Sequence, residues 1–75
     1  MIRLNLQKEN TICQIVELEG SNKFISKITA MGLTNGTMIE VVQNDKKSPV
    51  LLFARDTMIA VSKEEAKKII VKEVL

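Results

Sequence analysis

Seventy-five residues, 45% apolar and 27% charged, make one small unit with a thin core: too short for a cofactor domain plus a substrate domain, too apolar for a disordered tail. Eleven basic against nine acidic side chains leave a formal charge of +2, too even for a strong nucleic-acid or anionic-membrane footprint. With no His, one Cys, no Trp or Tyr and two Phe, the chain lacks the usual neutral-pH base, a Cys-rich zinc site, an internal disulfide and the aromatic platforms that stack bases or read proline-rich peptides.

In chain order, Ile2, Leu4 and Leu6 alternate with Arg3, Asn5 and Gln7, which predicts a short strand or extended arm with one buried face. Thr11 to Leu18 is rich in Ile and Val and reads as a strand. Ile12, Val16 and Leu18 fall on one side, Cys13 and Ile15 on the other, so this strand is expected to be covered twice. Gly20-Ser21-Asn22 is a turn in which Ser21 or Asn22 can cap a helix. Phe24, Ile25, Ile28 and Met31 form a helical stripe that Gly32 ends, because a residue without Cβ takes the left-handed conformation of a helix C-terminus.

Leu33-Thr34-Asn35-Gly36 is a second turn, and Met38 to Gln43 a second long strand. A polar loop, Asn44 to Pro49, leads to a strand over Val50 to Arg55, a tight turn at Asp56-Thr57 and a return strand over Met58 to Val61. Ser62-Lys63-Glu64-Glu65 has the form of a capping box opening a helix of about two turns. The β-branched run Ile69-Ile70-Val71 then favours a last strand through Val74 and Leu75. Short strands with turn signals at near-regular spacing predict a mainly β fold, a small antiparallel barrel with two short helices. No stretch approaches the roughly 20 apolar residues of a spanning helix, and Met1 to Asn10 has no signal-peptide pattern, so the expected compartment is the cytoplasm, without membrane insertion.

The constellation Ile28-x-x-Met31-Gly32-Leu33-Thr34-Asn35-Gly36-Thr37-x-Ile39-x-Val41, followed by Arg55-x-x-x-Ile59-Ala60-Val61 and Glu64-Glu65-Ala66-x-x-Ile69-x-Val71, resembles the FeoA family of bacterial ferrous iron uptake. It is also similar to the barrel at the C-terminus of DtxR-type metalloregulators. The resemblance implies an SH3-like barrel and a single FeoA-like domain over residues 1–75. It implies a non-catalytic accessory protein without cofactor, whose partner is the membrane iron transporter FeoB with its cytosolic GTPase part. The family usually carries Pro where Asn35 stands, so this turn is less pre-set. A metal-responsive sensor or delivery module is the alternative reading.

Met31, Gly32, Leu33, Asn35 and Gly36 are the candidate partner-binding residues. The glycines serve equally as a helix cap and a turn, while Met31 and Leu33 either pack inward or present an adaptable apolar contact. Cys13, with no His or second Cys, reads as a small core residue. Glu17 and Glu19, with Glu40 or Asp56 across the sheet, could hold a divalent ion through oxygen ligands, a site that would prefer hard cations and hold Fe²⁺ weakly, but they read as solvated charge. Lys46-Lys47 read the same way, while Lys67, Lys68 and Lys72 complement a helix C-terminus. No catalytic constellation, phosphate loop or metal site is expected, and no nucleic-acid partner. Small barrels with short hinges exchange strands, which leaves a homo-oligomer or strand-swapped dimer open.

Overall fold

The computed structural model describes residues 1–74. It contains β1 (Ile2–Arg3), β2 (Thr11–Leu18), α1 (Asn22–Ala30), β3 (Met38–Gln43), β4 (Val50–Ala54), β5 (Thr57–Val61), α2 (Lys63–Ala66) and β6 (Ile69–Glu73). The strands form one antiparallel sheet in the order β1-β6-β2-β3-β4-β5, curled as an SH3-like barrel. Two bulges help it bend. One sets Val16 of β2 as an extra residue between Ile15↔Val71 and Glu17↔Ile70. The other sets Val42 of β3 between Val41↔Leu52 and Gln43↔Leu51.

The first bulge corrects the reading of β2. Cys13 and Ile15 point into the core, and the extra residue rephases the strand so that Leu18 also packs against that core. Ile12 and Val16 are only half-buried. The mixed faces thus come from a phase shift, and the strand is not covered twice.

The N-terminal arm departs more. Pairing of β1 stops at Arg3, and a 3₁₀ turn over Leu4–Leu6 follows, with the Gln7 N–H donating to the Leu4 carbonyl at 3.1 Å. Leu4 is fully buried, but the turn carries Leu6 off the strand period and leaves it 67% exposed. Two further boundaries shift. The β4–β5 turn is Arg55–Asp56, with Ala54 opposite Thr57, one residue earlier than expected. The helix α2 has one turn, because the β-branched run enters β6 at once. β6 ends at Glu73. Val74 follows it, with its N–H on the Ile12 carbonyl at 2.9 Å, and Leu75 lies outside the described residues.

Local chemistry explains the helices. Ser21 caps α1 by accepting from the Phe24 N–H at 3.1 Å. In α2 both halves of the capping box form: Ser62 Oγ accepts from the Glu65 N–H and Glu65 accepts from the Ser62 N–H. Two contacts tie α1 to the segment joining β5 to β6, and a third joins the residue after its C-terminus to the β4–β5 turn. The Lys68 ammonium sits 4.8 Å from the Phe24 ring centre, Lys27 pairs with Glu65 at 2.6 Å, and Arg55 lies against Gly32.

Candidate partner-docking corner

The segment from Met31 to Thr37 joins α1 to β3 and is held by hydrogen bonds at nearly every step. Met31 ends the helix and Gly32, at φ +91°, reverses it. The Gly32 N–H donates to the Thr29 carbonyl at 2.9 Å and the Leu33 N–H to the Ile28 carbonyl at 3.2 Å, the paired bonds of a Schellman cap. Such a cap brings the residue after the glycine onto the last inward turn of the helix. Leu33 therefore packs with the core at 0% exposure, as does Ile28. Leu33 is not presented outward; of the two apolar candidates only Met31, 38% exposed, meets solvent.

The next four residues close a turn in which the Thr37 N–H donates to the Thr34 carbonyl at 3.1 Å. Gly36 takes φ +93° at the third position, the type II arrangement. The Thr37 hydroxyl accepts from the Thr34 N–H at 3.1 Å, tightening it. The turn is pinned to β2 on one side only. Gly36 donates its N–H to the Ile15 carbonyl at 2.7 Å, and Gln14 Nε2 donates to the Gly36 carbonyl at 3.1 Å. On the other side Asn35 and Gly36 are exposed, and a Cβ on Gly36 would meet nothing within 4 Å. The result is a rigid backbone corner with an open outer surface.

Sequence reasoning brings Met31, Gly32, Asn35 and Gly36 to this surface but misses Arg55. A Cβ on Gly32 would lie 3.2 Å from Arg55 Cδ, so the absent side chain is what lets the guanidinium arm lie across the corner. Arg55 and Asp56 sit at φ +54° and +60°, a two-residue hairpin turn of type I′ built without glycine or asparagine. An Arg-Asp pair carries no type I′ signal, so the sequence places the turn one residue later, at Asp56-Thr57. Met38, exposed at the start of β3, extends the same neighbourhood.

The remaining candidates do not assemble a reactive centre. Burial pushes the Cys13 thiol above its ordinary value, outweighing a hydrogen bond from Thr11, with the Glu73 charge adding to the rise. Glu19 is paired with Arg3 at 2.7 Å. No group of three or more His, Cys, Asp or Glu is placed to hold a metal ion among the described residues. Lys46 and Lys47 belong to a loop organised by Asp45, whose carboxylate accepts from the Ser48 and Lys47 N–H groups and is held down at about 2. Lys63 fastens that loop by donating to Asn44 Oδ1 at 2.5 Å and to the Asp45 carbonyl. An open groove of about 230 Å³ lies by Met1, Ile2 and Leu6, but its buried polar side chain, Gln7, is already engaged by Thr11 and Glu73. No helix among the described residues is long and apolar enough to cross a membrane.

A family model described as the FeoA domain matches residues 2–73. Among solved structures, the chain is similar to an FeoA-like protein from Clostridium acetobutylicum, at 28% identity and TM-score 0.87 over 99% of this chain and 87% of that one. A crystal structure of an iron uptake regulatory protein, FeoA, aligns at 22% identity and TM-score 0.87, covering 97% and 96%. ScaR with bound Zn²⁺ aligns at 17% identity and TM-score 0.90, covering 99% of this chain and 37% of that one; at such identity the likeness is one of fold. No curated protein matches the sequence.

Proposed function

The chain belongs to the FeoA family, which makes it a small iron-transport-associated protein, and we propose that it acts as a non-catalytic cytoplasmic accessory docking on the cytosolic GTPase part of an FeoB-type transporter to tune its assembly or gating. The observation that carries this reading is the corner itself. Its backbone is fixed by the Schellman cap and the type II turn, while Met31, Asn35, Gly36 and Arg55 are exposed and Arg55 lies against Gly32. A surface already rigid loses little conformational entropy on binding. Met31 supplies an adaptable apolar contact and Arg55 a planar donor fork, the two residue types that interfaces favour. Leu33 works from beneath, holding the corner against the core. Residues 1–75 act as one domain in this reading.

The test is co-purification of the chain with the transporter's soluble GTPase domain. The wild type is expected to be retained, and Arg55→Glu or Met31→Glu to be lost with unchanged circular dichroism. Normal ferrous uptake in a deletion strain without a paralogue would remove the proposal. The metal-responsive alternative makes a separate demand, saturable Fe²⁺ or Mn²⁺ binding by calorimetry, and it finds no converging donor group among the described residues.

A further inference from the structure

The outer face of the β3–β4–β5 sheet breaks the ordinary rule that an antiparallel sheet turns polar side chains to water. Register fixes which residues share it. Glu40 stands opposite Phe53, Phe53 opposite Met58, and Leu51 opposite Ala60. Met38 lies two residues from Glu40 on the same face, because side chains alternate along a strand. Met38, Phe53 and Met58 are 47%, 40% and 52% exposed. Across the β2–β3 seam the row continues to Ile12, paired with Glu40. Gln14, opposite Met38, and Gln43, opposite Leu51, add polar groups at two margins of the face, and Glu40 is the one charged residue among these paired positions. Among the described residues Glu40 makes no ion pair with any of the chain's own cations.

We infer that this face is a docking surface for an amphipathic helix of a partner protein, one that sets an arginine from within its apolar stripe onto Glu40 and the Phe53 ring. The inference goes beyond the docking corner and does not depend on which protein supplies the helix. Directly paired residues on one face have Cβ atoms about 5 Å apart, so a carboxylate and an aromatic ring stand side by side here. A guanidinium satisfies both at once, forking its N–H groups onto the carboxylate while its plane stacks on the ring; an ammonium reproduces only the charge. Three strands span about 10 Å, the width of one helix with its side chains. Met38 and Met58, on either side of the Glu40–Phe53 pair, adapt to the helix's apolar residues. A second copy of this chain fits poorly, since two such faces centred on a two-fold axis would oppose Glu40 to Glu40 and neither face carries a cation for it. An anionic lipid surface is disfavoured by the same charge.

The experiment titrates the ¹⁵N-labelled chain with three synthetic helical peptides that share a Leu/Ala apolar face and differ only in its central residue, Arg, Lys or Glu. The Arg peptide is expected to shift the amides of Met38, Glu40, Phe53 and Met58. Its binding should be at least about tenfold tighter than that of the Glu peptide and measurably tighter than that of the Lys peptide. Glu40→Arg should invert the Arg–Glu order, and Phe53→Leu should narrow the Arg–Lys difference, leaving only the part due to the forked carboxylate contact, with both still above Glu. The proposal is overturned if none of the peptides shifts these residues at millimolar concentration, if the three bind equally, or if the shifts fall elsewhere. It is overturned too if the face instead pairs two copies in sedimentation, or if the chain binds phosphatidylserine vesicles with this face covered.

Discussion

Two turns meet at the proposed docking corner, and they solve the same backbone problem in opposite ways. From Gly32 to Gly36 every left-handed position is filled by glycine, so the chain reverses without strain. At Arg55–Asp56 the left-handed positions carry full side chains, each at a cost of roughly 1 kcal/mol or more that the strand pairing on either side must offset. The first turn spends its sequence on geometry and offers mainly backbone to a partner. The second accepts strain and gains a guanidinium, which then lies over the space that the missing Gly32 side chain leaves open. In this corner shape and chemistry are supplied by different loops.

That division can be broken at several points. The largest effect is expected from Leu33→Ala, which empties a fully buried site beneath the corner and should cost about 2–5 kcal/mol, a large part of a small domain's stability, read as a fall in the denaturant midpoint. Gly32→Val is expected to cost about 1–3 kcal/mol, since a β-branched side chain is forced into positive φ and against Arg55; an unmoved thermal midpoint would show that the cap does not require glycine. The strained turn should respond with the opposite sign. Exchanging Arg55-Asp56 for Asn-Gly, the pair that favours type I′, is expected to stabilise by about 1 kcal/mol, or several degrees in Tm, while weakening retention on the transporter domain. Gain of stability with full binding would remove Arg55 from the docking surface.

A smaller gain, about 0.4–1 kcal/mol, is expected from Asn35→Pro, which pre-sets the type II turn and narrows the unfolded ensemble. Smallest is the response to acid. The Lys27 ammonium and the Ser62 N–H hold the Glu65 carboxyl below its ordinary 4.5. The contribution of this group is therefore complete above that value and lost as pH falls through the lowered one. The Tm difference between wild type and Glu65→Gln should shrink steadily on acidification below about 4.5. The Asp45 loop should persist further, toward about 2. A difference that grew with acid would contradict the assigned partners.

The legibility of these regions in the sequence follows the same physics. Glycines, the Ser62–Glu65 spacing and the β-branched runs each name a local conformation, so the cap, a turn ending at Gly36 though not its type, the capping box and the long strands can be read directly. The bulges at Val16 and Val42 could not, because an extra residue in a ladder is set by the partner strand. The 3₁₀ turn that sends Leu4 inward and Leu6 outward carries no breaker residue and is visible only once the barrel core selects Leu4. Arg55 is not legible for a related reason: its place beside Gly32 is a tertiary contact 23 positions away in the chain.

The most direct test of the docking reading is an NMR titration of the ¹⁵N-labelled chain with the soluble GTPase domain of the transporter. The account predicts saturable shifts at Met31, Gly32, Asn35, Gly36 and Arg55, with the amides of the N-terminal arm unmoved. No shift at equimolar and higher ratios, or shifts confined to Met1–Leu6 and β6, would contradict it.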